Sequence, residues 1–113
     1  MSNSPRAVAY IDLGALEENC RSIREHLSPG AGLLGVVKAD AYGHGALEIS
    51  RRLESTGIDY LGVATIDEGV DLRKGGINTP LLIMSGLFSW EDIEPGLRYD
   101  LTPVVHDRAL LAR

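Results

Sequence analysis

The segment Lys38-Ala39-Asp40-Ala41-Tyr42-Gly43-His44-Gly45 gathers an amine, a carboxylate, a phenol and an imidazole into one short stretch. Lys38 closes the apolar run from Gly32 (GLLGVVK), which reads as a β-strand. Side chains alternate along a strand, so Leu34, Val36 and Lys38 share one face and Gly35 and Val37 the other. If Leu34 and Val36 line a barrel interior, Lys38 extends their column to the mouth, partly out of water. An amine in that position has a lowered pKa and is free for nucleophilic attack on an aldehyde. By position alone, Lys38 reads more readily as the first solvated residue after a strand, the usual place for a lysine. Asp40 and His44 are too few for a metal site. His44 is instead expected to be hydrogen-bonded in a Gly43–Gly45 turn. The third glycine of a dinucleotide fingerprint is absent, because Glu48 stands in its place.

The elements that must hold this cluster alternate along the chain. Ala7 to Ile11 reads as a short strand. Asp12 is the expected N-cap of a helix whose apolar face is Leu13, Leu16, Cys20, Ile23 and Leu27, ended by Ser28-Pro29-Gly30. A second helix is predicted from Gly45 to Ser55, with Ala46, Ile49, Ser50 and Leu53 on one side and Gly57 as its stop. Ile58 to Ala64 is the next strand. Thr65-Ile66-Asp67-Glu68 matches a capping box and starts a helix to Gly75, and the acidic residues Asp67, Glu68 and Asp71 suit that N-terminus. Leu81 to Met84 is a further strand, followed by a short helix from Ser89 to about Gly96. Leu101 to Val105 is a weaker strand, because Pro103 cannot donate to a ladder. Asp107 is expected to cap a last helix that stops at Arg113.

Strands that alternate with helices predict a parallel α/β fold. Apolar runs without alternation predict that both sheet faces are covered. Right-handed crossovers put every strand C-terminus on one rim, where ligands bind in open sheets and barrels alike. A closed barrel needs about 250 residues, whereas this chain has 113. The helix-like segment from Asp107 runs out without a cap, and truncation is the expectation.

Composition narrows the function classes. Lys+Arg number 11 against 16 Asp+Glu, a net charge of −5, which opposes nucleic-acid binding through phosphate neutralisation. Cys20 is the single cysteine, so an intrachain disulfide and a thiolate zinc site are excluded, and it is expected to be a small core residue. The N-terminus lacks the apolar stretch of a signal peptide, and the uncharged stretch from Gly75 to Trp90 is broken by Gly, Asn and Pro. A soluble, reducing cytoplasmic setting without membrane contact is the expectation. His26 and His106 read as surface residues, and Tyr10 and Tyr60 as structural ones.

The continuation after Lys38 changes the balance for that residue. VKADAYGHG, from Val37 to Gly45, resembles the cofactor-attachment motif of the alanine racemase family, which uses pyridoxal phosphate. AYIDLGALEEN resembles the family's first strand and helix, and LGVATIDEGVDLRKGGINTPLLIMSG and LTPVVHD resemble later segments. The resemblance implies a (β/α)8 barrel of TIM type, of which residues 1–113 are the N-terminal part, without the family's C-terminal β-domain. It implies that Lys38 forms the Schiff base with pyridoxal phosphate and exchanges the substrate Cα proton. Tyr42 is then the residue that reaches the cofactor phosphate. Val36 is implied to line the cofactor, as is Met84, at a position more often leucine in the family and near-isosteric with it. The implied activity is interconversion of L- and D-alanine, supplying D-alanine for peptidoglycan, in a homodimer whose other subunit provides the second acid–base group, a tyrosine. That tyrosine and the arginines for the pyridine nitrogen and substrate carboxylate match no position here, so the chain alone is expected to be inactive in that interconversion. A partial barrel leaves exposed sheet edges, so the chain is also expected to be aggregation-prone or only partly folded. A racemase of another small amino acid such as serine, a decarboxylase on the related barrel, and a non-catalytic cofactor-binding barrel are the alternatives.

Overall fold

The computed structural model describes residues 7–85, 90–105 and 108. Helix α1 (Leu13–Glu25) leads into strand β1 (Leu34–Val36) and a short element α2 (Lys38–Tyr42). Helix α3 (Ala46–Ser55), strand β2 (Tyr60–Val63), helix α4 (Ile66–Lys74) and strand β3 (Leu81–Ile83) follow. A 3-10 turn (Trp90–Asp92), helix α5 (Ile93–Arg98) and strand β4 (Leu101–Pro103) complete the described chain. The strands form one parallel sheet in the order β1-β2-β3-β4. Strands added in sequence order, each reached through a helix, build a sheet of barrel type rather than a doubly wound one.

The register assigns the two faces. Gly35, Leu61, Leu81 and Leu101 are aligned across the strands, as are Val63 and Ile83 two residues on. Leu61, Leu81 and Ile83 are 0% exposed. A Cβ on Gly35 would lie 2.9 Å from Ile58 and 3.0 Å from Leu53 of α3, and one on Gly69 of α4 would lie 3.1 Å from Ile83 and Leu101. This is therefore the face that the helices cover. Each buried Leu, Ile or Val side chain there stabilises the fold by about 1.5 to 3 kcal/mol. The opposite face carries Leu34, Val36, Tyr60, Gly62, Leu82 and Met84, of which Leu34, Tyr60 and Met84 are exposed. Coverage of both faces was the expectation from the uninterrupted apolar runs. Among the described residues only one face is covered, and the other is the concave side of a sheet of barrel type.

Several local expectations hold and others are corrected. Asp12 caps α1 by accepting from the Ala15 N–H at 3.0 Å, and Cys20 is buried. Helix α1 ends at Glu25, so Leu27 lies beyond it, and Ile23 is 49% exposed. Ala7 to Ile11 forms no strand, because no strand of the sheet pairs with it; Tyr10 is 91% exposed. Tyr60 is also exposed. The capping box of α4 is present, with Glu68 and Thr65 satisfying each other's backbone N–H groups. Helix α5 continues through Gly96 to Arg98, and the chain turns at Asp100, whose φ is +53°. Ser89, His106 and Asp107 lie outside the described residues. Among the described residues no helix is long and apolar enough to cross a membrane.

Candidate functional site

Strand β1 ends at Val36, two residues before the lysine. The Val37 N–H still donates to the Gly62 carbonyl at 2.8 Å, but Val37 turns out of the extended region, with φ −123° and ψ 24°. The strict alternation that put Lys38 in the column of Leu34 and Val36 therefore stops at Val37, and Lys38 instead opens α2. It is part-buried, at the C-terminal rim of the sheet.

Element α2 is a left-handed turn. Ala39, Asp40, Ala41 and Tyr42 have φ of +51°, +56°, +53° and +57°, and Gly43 follows at +88°. Each non-glycine residue in this region costs about 1 to 2 kcal/mol, because Cβ crowds the following carbonyl. A run of them persists only where surrounding contacts fix it. Here the Ala39 N–H donates to Glu68 Oε2 at 2.7 Å, the Ala41 N–H to the Val37 carbonyl at 3.0 Å, and the Gly45 N–H to the Asp40 carbonyl at 2.9 Å. Asp40 Oδ1 accepts from the Ala46 N–H at 2.7 Å and so caps α3, whose N-cap residue Gly45 has no side chain to do it. The His44 ring meets the Ala41 carbonyl through Nδ1 at 2.9 Å, as expected for a residue that shapes this turn.

Val36 and Met84 lie on the same face of the sheet, on either side of β2. Val36 is paired with Gly62. A Cβ on Gly62 would sit 2.9 Å from Met84 Sδ and 3.1 Å from Leu34 Cδ2, so the methionine side chain lies over the glycine toward β1. Any larger residue at Gly62 would displace it. The Met84 N–H donates to the Val63 carbonyl at 2.7 Å. Tyr42 stands at the far end of α2 from Lys38 and is 60% exposed. A cavity of about 290 Å³ among Val37, Asp40, Leu47, Val63 and Glu68 lies on the helix-covered side, and Val36 and Met84 do not line it.

Sequence reading missed Gly62, Glu68 and Asp40 as builders of this rim. The capping box pointed to Glu68, but its second oxygen reaches Ala39 in a distant part of the chain, which spacing does not reveal.

Comparison with known proteins places this arrangement. The family model "Alanine racemase, N-terminal domain" matches residues 11–113. The alanine racemase of Synechocystis sp. is 42% identical over 100 residues, covering 88% of this chain and 27% of that protein. The alanine racemase of Geobacter sulfurreducens is 43% identical over 90 residues, covering 80% of this chain and 24% of that protein. The structure of alanine racemase from Clostridium difficile 630 in complex with cycloserine superposes with a TM-score of 0.82 at 38% identity, over 87% of this chain and 27% of that one. The chain spans about a quarter of the length of the curated relatives it matches. Its parallel sheet, with helices on one face and the lysine motif at the strand ends, is the N-terminal part of a TIM-type α/β barrel, and the chain belongs to the alanine racemase family.

Proposed function

We propose that this chain provides the lysine-bearing part of a pyridoxal-phosphate-dependent alanine racemase. Membership of the family across residues 11–113 carries this reading. The local structure fits the cofactor. The amine of Lys38 stands at the strand-end rim where barrel chemistry is located. Along the concave face, Met84 and Leu34 pack over Gly62, the residue paired with Val36, and make an apolar surface.

When bound, pyridoxal phosphate supplies an aldehyde that holds the amino acid and a ring that withdraws electron density from its Cα–H bond. Lys38 holds the cofactor at rest and then takes or returns the Cα proton on one face. Val36 and Met84 form an apolar wall on the concave face. The Tyr42 hydroxyl donates to the phosphate. The second acid–base group belongs to a partner subunit of a homodimer. Alanine is the substrate class.

The chain contains two lysines, Lys38 and Lys74, and the latter is exposed in the last turn of α4. Lys74 is therefore an internal control for a trapping experiment. The lysine nitrogen condenses with the cofactor aldehyde, water leaves, and borohydride reduces the resulting C=N bond to a stable secondary amine. Peptide mass mapping at limiting pyridoxal phosphate is expected to find the adduct on Lys38 well ahead of Lys74. Equal labelling of the two lysines would overturn the assignment. A second measurement separates an enzyme from a cofactor carrier. With pyridoxal phosphate and alanine in deuterium oxide, the chain is expected to exchange the α-hydrogen faster than free cofactor, and Lys38→Ala to lose the excess. Selective labelling without any excess exchange would favour the carrier.

A further inference from the structure

We infer that Glu68 is a positioning residue for Lys38, fixing the backbone immediately after the lysine to the rim of the neighbouring strand. This inference rests on the role proposed for Lys38. Thr65 and Glu68 satisfy each other's backbone at the start of α4, which needs only one carboxylate oxygen: Oε1 accepts from the Thr65 N–H at 3.1 Å and from the Ala64 N–H at 2.7 Å. The other oxygen, Oε2, leaves the helix altogether and accepts from the Ala39 N–H at 2.7 Å. Charge-assisted bonds of this length are the strong class. One part-buried carboxylate thus ties the residue after β2 to the residue after Lys38.

Ala39 is also the first residue of the left-handed run. Its N–H points at Glu68, and the Ala41 N–H then turns back to the Val37 carbonyl. Lys38 lies between these two attachments, so its Cα is held on both sides. Without the Oε2 contact, the entry to the turn loses the bond that ties it to α4, and the strained residues relax toward the right-handed or extended regions. The Lys38 amine then samples a wider volume at the rim. Glu68 acts on Lys38 through the Ala39 amide and not by touching substrate or cofactor.

The test compares two variants that damage α4 in different ways. Glu68→Gln retains one carbonyl oxygen and places an NH2 group where the second acceptor was, so it cannot serve both clusters. Thr65→Ala breaks the other half of the capping box, the Glu68 N–H to Thr65 Oγ1 bond at 3.2 Å, and leaves the carboxylate intact. In Glu68→Gln the Lys38-to-Lys74 labelling ratio is expected to fall about tenfold, in keeping with the sensitivity of reaction to small misplacements. Amide hydrogen exchange at Ala39 is expected to accelerate in the same variant. Thr65→Ala is expected to keep both near wild type despite its weaker helix cap. Glu68→Asp, with the charge kept and the reach shortened, is expected to fall between, and it reports if the Gln variant does not fold. An equal loss of selectivity in Thr65→Ala and Glu68→Gln, or none in Glu68→Gln, would overturn the inference. Wild-type chain that labels both lysines alike would instead overturn the role of Lys38 itself.

Discussion

The two rims of the sheet are stitched in opposite ways. At the strand N-terminal ends, charged side chains, most of them on helices, reach the backbone just before each described strand. Arg73 donates to the carbonyls of Ile77, Thr79, Tyr99 and Asp100 at 2.7 to 3.0 Å. Glu54 Oε2 accepts from the N–H groups of Asn78 and Thr79 and from the Thr79 hydroxyl. Asp59 takes the Leu33 N–H at 2.7 Å, and Arg24 donates to the Gly57 carbonyl at 2.8 Å. At the C-terminal ends, the strained turn after Lys38 is held chiefly by Glu68 and Asp40. One rim spends its polar side chains on backbone satisfaction; the other carries part-buried Lys38, exposed Tyr42 and the uncovered concave face. With the role proposed for Lys38, stability and chemistry are separated along the strand direction, as in barrels generally.

That separation is broken most directly at Arg73. Arg73→Ala strands carbonyls in two turns at once, and hydrogen bonds to charged groups are worth enough individually that a loss of about 3 kcal/mol is expected. Urea denaturation followed by circular dichroism measures it. The Lys38-to-Lys74 labelling ratio, read below the unfolding transition, is expected to stay at its wild-type value. A drop in that ratio while the chain is still folded would show that the two rims are coupled after all.

Much of this division was legible from residue order, and the parts that were not share one cause. Asp12 and the Thr65-Glu68 box are local signals, each complete within one turn of helix, and both read correctly. So did the parallel architecture and the family resemblance. The left-handed run from Ala39 to Tyr42 was not legible, because alanine and tyrosine have no local preference for positive φ; a carboxylate far along the chain holds the entry to the run. Strand β1 was read to Lys38 but stops at Val36, since apolar character continues beyond the ladder. Gly62 depended on Leu34 and Met84, which meet it only across the sheet. Residues 7–11 looked like a strand because composition reports propensity, whereas a strand exists only with a partner.

A smaller effect, and one with a defined pH dependence, is expected at Glu54. Partial burial alone would raise its pKa, but the Thr79 hydroxyl and N–H, the Asn78 N–H and the Arg73 charge together hold it below 4.5. A carboxylate depressed in the folded state contributes its full stabilisation above the unfolded pKa and loses it as pH falls through the folded one. Wild-type stability is therefore expected to decline below about pH 4.5, the unfolded value. Glu54→Gln keeps an oxygen in place without its charge, and is expected to cost about 1 to 2 kcal/mol at neutral pH. Its stability is expected to vary less between neutral and acidic pH, so the two denaturation curves converge on acidification. Parallel curves at all pH values would remove Glu54 from the pH-dependent clamp on this rim.

The opposite rim supplies the smallest change in stability and the sharpest test of the comparison. Tyr42 is 60% exposed, and replacement by Phe removes only a hydroxyl at the end of α2. An exposed substitution of this kind is expected to shift stability by less than about 0.5 kcal/mol. If the hydroxyl donates to the cofactor phosphate, its removal takes away a hydrogen bond to a charged group, worth about 1.5 to 3 kcal/mol. The Kd for pyridoxal phosphate, read by absorbance titration, is then expected to rise at least tenfold in Tyr42→Phe. Pyridoxal, which lacks the phosphate, provides the matching control, because its affinity is expected to be equal in the two proteins. Equal weakening of both compounds would mean that Tyr42 shapes the turn instead of meeting the phosphate, and the rim proposed for chemistry would then differ from its counterpart by Lys38 alone.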